Sequence, residues 1–425
     1  MDYVERKFDS ISAEEIRNVL YKSFKGIGKV EKALLIHPDY TRVDFSHIIA
    51  PSLLKILKEK GLREFHTLNA SGTHREMSNK EFERKLGIKK EEAIFHNHEF
   101  FKPSSLFNAG KLSRDFMKRV TYGEIDDEVN INANKLLLKS FDAIFVLSGT
   151  LPHEAAGYSG GLKAFVPGIS DSNVVNFFHW AAVMVGIPEI IGKKNNLARD
   201  IINEASKIII GKIKVPVFTI NMVFDEKEKL LPKGLYIAEG YKGFLEAYEK
   251  AAKLSERIHI IKLKNPLKRV VQVIGKEYDE LWTAGKGSYK LQKPGVLLPG
   301  AEVIIYAPHI TKFHSNKTFD ALIRKIGYHS KDYVKEFLKN NPDFNKNVAA
   351  HVINVRGPGT FDPVNNKEIF LFNIALATRI TKEDCKAVGL EYLNPLAVQK
   401  FRNDNETLWI ENGGKYLYEI AREEI

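Results

Sequence analysis

Short apolar runs alternate along the chain with stretches whose apolar residues recur at helical spacing. Residues 32–36, 65–68, 93–95 and 143–147 read as strands, the last an unbroken, buried Ala-Ile-Phe-Val-Leu run. Residues 48–60, with Ile49, Leu53, Ile56 and Leu57 on one face, read as a helix. So do residues 79–86, behind a Ser78 or Asn79 cap, and residues 241–254. Residues 208–210 and 217–223 are strand-like. A boundary falls near residues 264–267 (Lys-Asn-Pro-Leu), beyond which 269–274, 303–307 and 370–377 are strand-like. Residues 381–388 then form a helix capped by Thr381, and residues 407–420 read as a β-hairpin around Gly413-Gly414.

Strands alternating with helices predict a parallel α/β sheet, and 425 residues are too many for one ordinary core, so two α/β domains are expected. In such sheets ligands bind beyond the carboxyl ends of the strands. That rule puts three polar loops on one face: residues 39–42, 71–75 and 148–163. Two of them echo one another. Ser71-Gly72-Thr73-His74 and Ser148-Gly149-Thr150, followed by His153, each present a histidine at a strand-to-loop junction.

The stretch from 152 to 179 is the richest in chemistry. It holds His153, the turn Ser159-Gly160-Gly161, Lys163, the break Pro167-Gly168, and His179 on an apolar, aromatic run that looks helical. Glycines let backbone N–H groups converge on an anion, and a lysine beside them can hold phosphate or react as an amine. Each residue also has a plainer reading. His179 would serve equally as a satisfied core histidine, Asp39 as a turn former, and Arg42 as a surface ion-pair partner.

Composition narrows the classes. Lys+Arg exceed Asp+Glu by 64 − 53 = 11, but the lysines are scattered among glutamates on helix faces. No basic stripe with interleaved aromatics appears, so nucleic acid is not the expected partner and small anions fit the charge as well. The single cysteine, Cys385, excludes an intrachain disulfide framework and a cysteine metal cluster, and fits a reducing, cytoplasmic setting. Neither an apolar leader nor an apolar run of about 18 residues is present, so no membrane association is expected.

The pattern His153, Gly157-Tyr158-Ser159-Gly160-Gly161-Leu162-Lys163, Pro167-Gly168, His179 resembles the signature of the nickel-dependent lactate racemase family. Asp39-Tyr40-Thr41-Arg42 is similar to that family's D-x-T-R segment, and Gly72-Thr73-His74-Arg75 to its G-x-H-R segment. The resemblance implies a nickel-pincer nucleotide tethered covalently through Lys163, with nickel ligated by His179. It implies His74 and His153 as catalytic histidines, Arg42 on the substrate carboxylate, and Asp39, Thr41, Gly160 and Gly161 against the cofactor. It implies two α/β domains with the active site in the cleft between them. The first covers residues 1–265 and takes back the chain end at 396–425; the second covers 266–395. The second-domain Y-Q-x-x-K segment is matched most closely by Trp282-Thr283-Ala284-Gly285-Lys286, which makes Trp282, Thr283 and Lys286 the substrate-side candidates. The glutamine is replaced by Thr283, a departure on the substrate side.

The implied function is racemisation or epimerisation of a small 2-hydroxy acid by reversible hydride transfer, with enzymes of cofactor synthesis as partners. Thr283 leaves room for a longer or polyhydroxylated acid in place of lactate. The alternative is a phosphate- or nucleotide-binding protein without redox chemistry, which would not need His74, His153 and His179 together. The sequence assigns no role to His98, His309, His329 or His351, although His98 ends a strand on the face that carries the loops.

Overall fold

The computed structural model describes residues 1–227 and 229–421. It divides into two compact units: Met1–Phe178 with Lys193–Ile258, and His179–Gly192 with the chain from His259 onward.

The first unit is built on a seven-stranded sheet. Its strands are β1 (Asp2–Glu5), β2 (Lys32–His37), β3 (Glu64–Asn69), β4 (Ile94–His96), β5 (Ala143–Gly149), β6 (Val217–Asp225) and β7 (Leu231–Glu239). The spatial order is β1-β7-β6-β5-β2-β3-β4. From β6 to β4 every neighbouring pair is parallel, and β7, between β6 and the edge strand β1, is antiparallel to both. The chain lays down β2, β3 and β4 in one direction, then returns to β2 and builds β5 and β6 in the other. The crevice beyond the ends of β2 and β5 is therefore the switch point where α/β sheets bind ligands.

Residues 143–147 are fully buried, as a central parallel strand covered on both faces should be. Phe145 packs edge-on to Phe24 at 5.2 Å and face-on to Phe218 at 5.4 Å, joining the sheet to the Ala13–Phe24 helix. The Asn79–Leu86 helix starts where expected, with Ser78 and Glu81 forming a reciprocal cap.

The second unit holds an all-parallel, five-stranded sheet of β8 (Leu267–Val273), β9 (Leu297–Ala307), β10 (Phe372–Thr378), β11 (Glu391–Tyr392) and β12 (Thr407–Ile410), in the order β11-β10-β9-β8-β12. Its switch point lies between β8 and β12. Thr381 caps the Lys382–Ala387 helix through Asp384 N–H, as expected.

Three expectations need correcting. Residues 208–210 end the long Leu197–Ile210 helix, where the apolar triplet is one turn of a buried face. Residues 407–420 form no hairpin: β12 runs beside β8, and Leu417–Ile420 pairs in parallel with Ile260–Leu263. A glycine pair between two apolar runs marks a turn, but here each run finds a longer-range partner. The closing segment, expected with the first domain, has its described strands in the second unit, as does His179. No described helix is long and apolar enough to cross a membrane.

Candidate active site

The loop leaving β2 is shaped by Asp39. This carboxylate is 2 % exposed. Its Oδ1 accepts hydrogen bonds from Thr41 N–H at 3.0 Å and the Thr41 hydroxyl at 2.7 Å, which closes the turn. Its Oδ2 lies 2.5 Å from His74 Nδ1. Burial pushes the Asp39 carboxyl up, but the charge and hydrogen bond of His74, the Arg42 guanidinium and the Thr41 hydroxyl outweigh it. Asp39 is held well below the usual carboxylate range. Farther along the loop, Lys85 Nζ donates to the Arg42 carbonyl at 2.5 Å and pairs with the buried Asp44 at 2.7 Å.

His74 stands on the loop after β3. Its N–H donates to Ser71 carbonyl at 3.0 Å, and Gly72 N–H reaches Gly168 carbonyl at 2.9 Å, tying this loop to the Pro167-Gly168 break. The next residue, Arg75, is turned aside: it pairs with Glu81 at 2.8 Å and lies 3.9 Å over the Tyr40 ring. With Nδ1–H directed at Asp39, the neutral His74 ring keeps a lone pair on Nε2.

His153 lies in a two-residue strand, Pro152–His153, paired antiparallel with Gly157–Tyr158. Its Nδ1 accepts from Ala155 N–H at 3.1 Å, which places the proton of the neutral ring on Nε2. The Glu154 carboxylate is 3.5 Å from the same Nδ1.

The glycine turn is held from below by a polar knot. Ser148 Oγ accepts from Gly161 N–H at 2.9 Å and donates to Asn221 Oδ1 at 3.2 Å; Thr150 Oγ1 donates to the same Asn221 oxygen at 2.9 Å. A Cβ on Gly160, where φ is +83°, would stand 2.4 Å from Thr150 Oγ1 and 2.9 Å from Asn221 Oδ1. Ser159 N–H goes to Leu151 carbonyl and Lys163 N–H to Gly160 carbonyl. The amides of this turn are therefore largely committed within the protein.

Lys163 follows in a short 3-10 turn, Gly161–Ala164, with its side chain half-buried. Among the described residues its ammonium makes no hydrogen bond or ion pair. Burial, and then the nearby Arg42 guanidinium, push it down to about 8; Arg199 acts in the same sense, while Glu154 and Asp39 oppose it.

His179 lies within the Ser172–Val185 helix, half-buried, and is counted with the second unit. In that unit Lys286 follows β8 at the switch point. Its Nζ sits 3.7 Å over the Tyr278 ring, and a Cβ on Gly414 would strike its Cγ at 2.2 Å. Gly413 N–H donates to Val273 carbonyl at 2.8 Å and Gly414 N–H to Gln272 Oε1 at 3.0 Å, so the glycine pair packs against the end of β8. Trp282 stacks on His351 at 4.3 Å and meets His314 at 4.9 Å. Thr283 is buried and its hydroxyl donates to Glu280 carbonyl at 3.1 Å.

The four histidines left without a role by the sequence are held by hydrogen bonds within the protein. His98 accepts from Asn134 Nδ2 at Nδ1 (3.1 Å), and its Nε2 donates to Ser170 carbonyl (2.8 Å); burial pushes it down to about 4. His309 donates to Tyr278 carbonyl at 2.9 Å, His329 pairs with Glu368 at 2.6 Å, and His351 meets the Tyr328 hydroxyl at 3.1 Å. The sequence reading missed Asn221 and Arg199. Asn221 left a signal, a lone amide in an otherwise apolar strand; Arg199, one cation among many on a helix, left none.

Residues 11–188 match the family model for the lactate racemase N-terminal domain. Over this stretch the chain resembles the lactate racemase family. The match holds every first-domain motif residue from Asp39 to His179. The chain is 26 % identical over 202 residues to the lactate racemase of Lactiplantibacillus plantarum, covering 47 % of this chain and 43 % of that protein. It is 26 % identical over 205 residues to the lactate racemase of Thermoanaerobacterium thermosaccharolyticum, with the same coverage. It therefore spans less than half the length of these curated relatives. Among solved structures, a crystal structure of a Thermotoga maritima protein is 55 % identical, covers 98 % of this chain and 100 % of that one, and superposes with a TM-score of 0.96. The lactate racemase apoprotein of T. thermosaccharolyticum is 19 % identical, covers 95 % and 93 %, and gives 0.66, a likeness of fold.

Proposed function

We propose that this protein belongs to the lactate racemase family and is a racemase or epimerase of 2-hydroxy acids working with a nickel-pincer nucleotide. The observation that carries the reading is the 2.5 Å contact of Asp39 with His74 at the sheet's switch point. A buried carboxylate there fixes the ring and leaves Nε2 as a base, an arrangement a purely anion-binding loop has no use for.

The C–H of a 2-hydroxy acid is far too weakly acidic for any side-chain base. When bound, the nickel-pincer nucleotide supplies a hydride acceptor, and the protein is left with positioning and proton transfer. The residues fit such a group. Lys163 offers an uncommitted amine for a covalent tether. His179 offers an imidazole, a ligand type that suits nickel. Among the described residues no three His, Cys, Asp or Glu side chains gather as a metal site, so His179 would bind nickel only beside ligands of an organic group.

In this reading His74 accepts the substrate hydroxyl proton at Nε2, and the Asp39 carboxylate stabilises the imidazolium that forms. His153 serves the opposite face of the carbon, its ring oriented by the Ala155 N–H at Nδ1. Two bases are needed because each enantiomer presents its hydroxyl to a different side. In the first unit Arg42 is the candidate for the substrate carboxylate, and in the second unit Lys286, Trp282 and Thr283 are the substrate-side candidates. The polar atoms of Asp39 and Thr41 are spent on one another and on His74, which favours an orienting role over direct cofactor contact. Thr283 in place of the family's glutamine favours an acid longer or more hydroxylated than lactate.

Committed amides at Ser159, Gly161 and Lys163 weigh against the phosphate-cradle alternative. The deciding experiment is peptide mass spectrometry with nickel analysis on protein produced alongside the cofactor-making enzymes. A nickel-bearing adduct on Lys163, followed by stereochemical exchange of a 2-hydroxy acid, is the expected result. An unmodified Lys163 in a host that loads a sister enzyme would overturn the reading.

A further inference from the structure

Arg199 is 2 % exposed. Taking a guanidinium out of water is costly unless a counter-charge accompanies it. Among the described residues no carboxylate pairs with Arg199. One Nη donates to the Tyr158 carbonyl, the guanidinium lies 3.9 Å over the Tyr248 ring, and Nε has no partner. The cation is buried and left unneutralised, which the fold alone does not require.

Its position suggests a use. Seven residues further on the same helix, the buried Ser206 donates to the Leu162 carbonyl at 3.1 Å. One face of the Leu197–Ile210 helix thus grips carbonyls 158 and 162, on either side of the glycine turn and immediately before Lys163. The charged groups acting on Lys163 are Arg42 and Asp39 from the loop after β2, Glu154 beside His153, and Arg199 from this helix. Neither carboxylate comes within ion-pairing distance of the lysine, and Asp39 is already bound to His74 and Thr41.

We propose that Arg199 is a positioning residue for Lys163: it fixes the lysine-bearing turn through the Tyr158 carbonyl and sets an unneutralised cation beside the ammonium, so that Lys163 is presented as a nucleophilic amine to a carbonyl-class electrophile. A neighbouring cation disfavours a second positive charge and so favours the neutral amine. The inference rests on the tether proposed above for its biological use, but its test does not require the cofactor.

The probe is a small neutral aromatic aldehyde with borohydride, applied to the full-length protein lacking cofactor from pH 6 to 11. The amine lone pair adds to the carbonyl carbon, water leaves to give an imine, and hydride from borohydride reduces it to a stable secondary amine. Peptide mass spectrometry then reads each lysine, with exposed lysines of the same chain as the reference. Lys163 is expected to label with a midpoint near pH 8 and the exposed lysines near 10.4. In Arg199→Gln, which keeps a donor for Tyr158 but no charge, the midpoint rises by about half a unit and labelling at pH 7.5 falls about threefold. Arg199→Lys, which keeps the charge, holds the midpoint. A wild-type midpoint equal to that of exposed lysines, or a folded Arg199→Gln protein with an unmoved midpoint, would overturn the proposal. Should Arg199→Gln not fold, Arg199→Met is read in the same way, and an unmoved midpoint in it overturns the proposal. Failure of the cofactor reading shows separately, as a missing nickel adduct on a lysine that still labels.

Discussion

His74 Nδ1 and the Asp39 carboxylate lie 2.5 Å apart, and Asp39 has no second route to solvation. Asp39→Asn removes the charge that stabilises the imidazolium and can reverse the tautomer by donating where the carboxylate accepted. Turnover by the loaded enzyme should fall by about 10³ to 10⁴, while the Lys163 adduct, read by mass spectrometry, forms as before. Turnover within twofold of wild type would remove the dyad from the mechanism.

The buried histidines set the acid limb of stability. His37, His96 and His98 are each pushed down to about 4, by burial first in every case. Their unfolded value is near 6.5. Between these limits the unfolded chain binds more protons, so the stabilisation is complete above pH 6.5 and drains away as pH falls toward 4. The melting temperature should drop by roughly 10 °C between pH 7 and pH 4.5. A flat profile over that range, followed by calorimetry, would contradict the neutral, buried assignment of these rings.

Gly160→Ala forces a side chain into a left-handed backbone and against Thr150 and Asn221. The cost should be about 3 kcal/mol in denaturant unfolding. Gly123→Ala, also left-handed but with open space around its Cβ, should cost only about 1 to 2 kcal/mol. Equal losses at the two sites would show that the polar knot adds no steric constraint.

Lys163→Met exchanges a half-buried ammonium lying near two guanidiniums for an apolar chain of similar length. The melting temperature should rise by roughly 2 °C while adduct formation is abolished, the trade expected where a group is kept for function at a cost in stability. A fall in melting temperature would mean that the ammonium contributes to the fold.

Much of the first unit was legible in the sequence. The unbroken apolar run at 143–147 marked a strand buried on both faces, and Ser78 and Thr381 marked helix starts, because these signals are local. The three loops were placed together by the strand-end rule, and the sheet order brings the Asp39 and Ser148 loops to its switch point. What stayed hidden depended on distant partners. Ile208–Ile210 carried no cue against a strand, since a buried helical turn and a short strand share the same apolar triplet. Gly413-Gly414 gave a turn signal, but its flanking strands pair with β8 and Ile260–Leu263, far back in the chain. Arg199 was unreadable because only the folded helix brings it to Tyr158.

That late pairing bears on how the protein is made. The carboxyl end of β8 and the Lys286 helix are synthesised long before β12 and the Gly413-Gly414 turn that pack against them. The second sheet's strand β8 therefore remains an open edge on the ribosome until β12 emerges, and a chain truncated before β12 would expose a parallel strand to wrong partners. Folding of this half should be slow, in keeping with its non-local contacts.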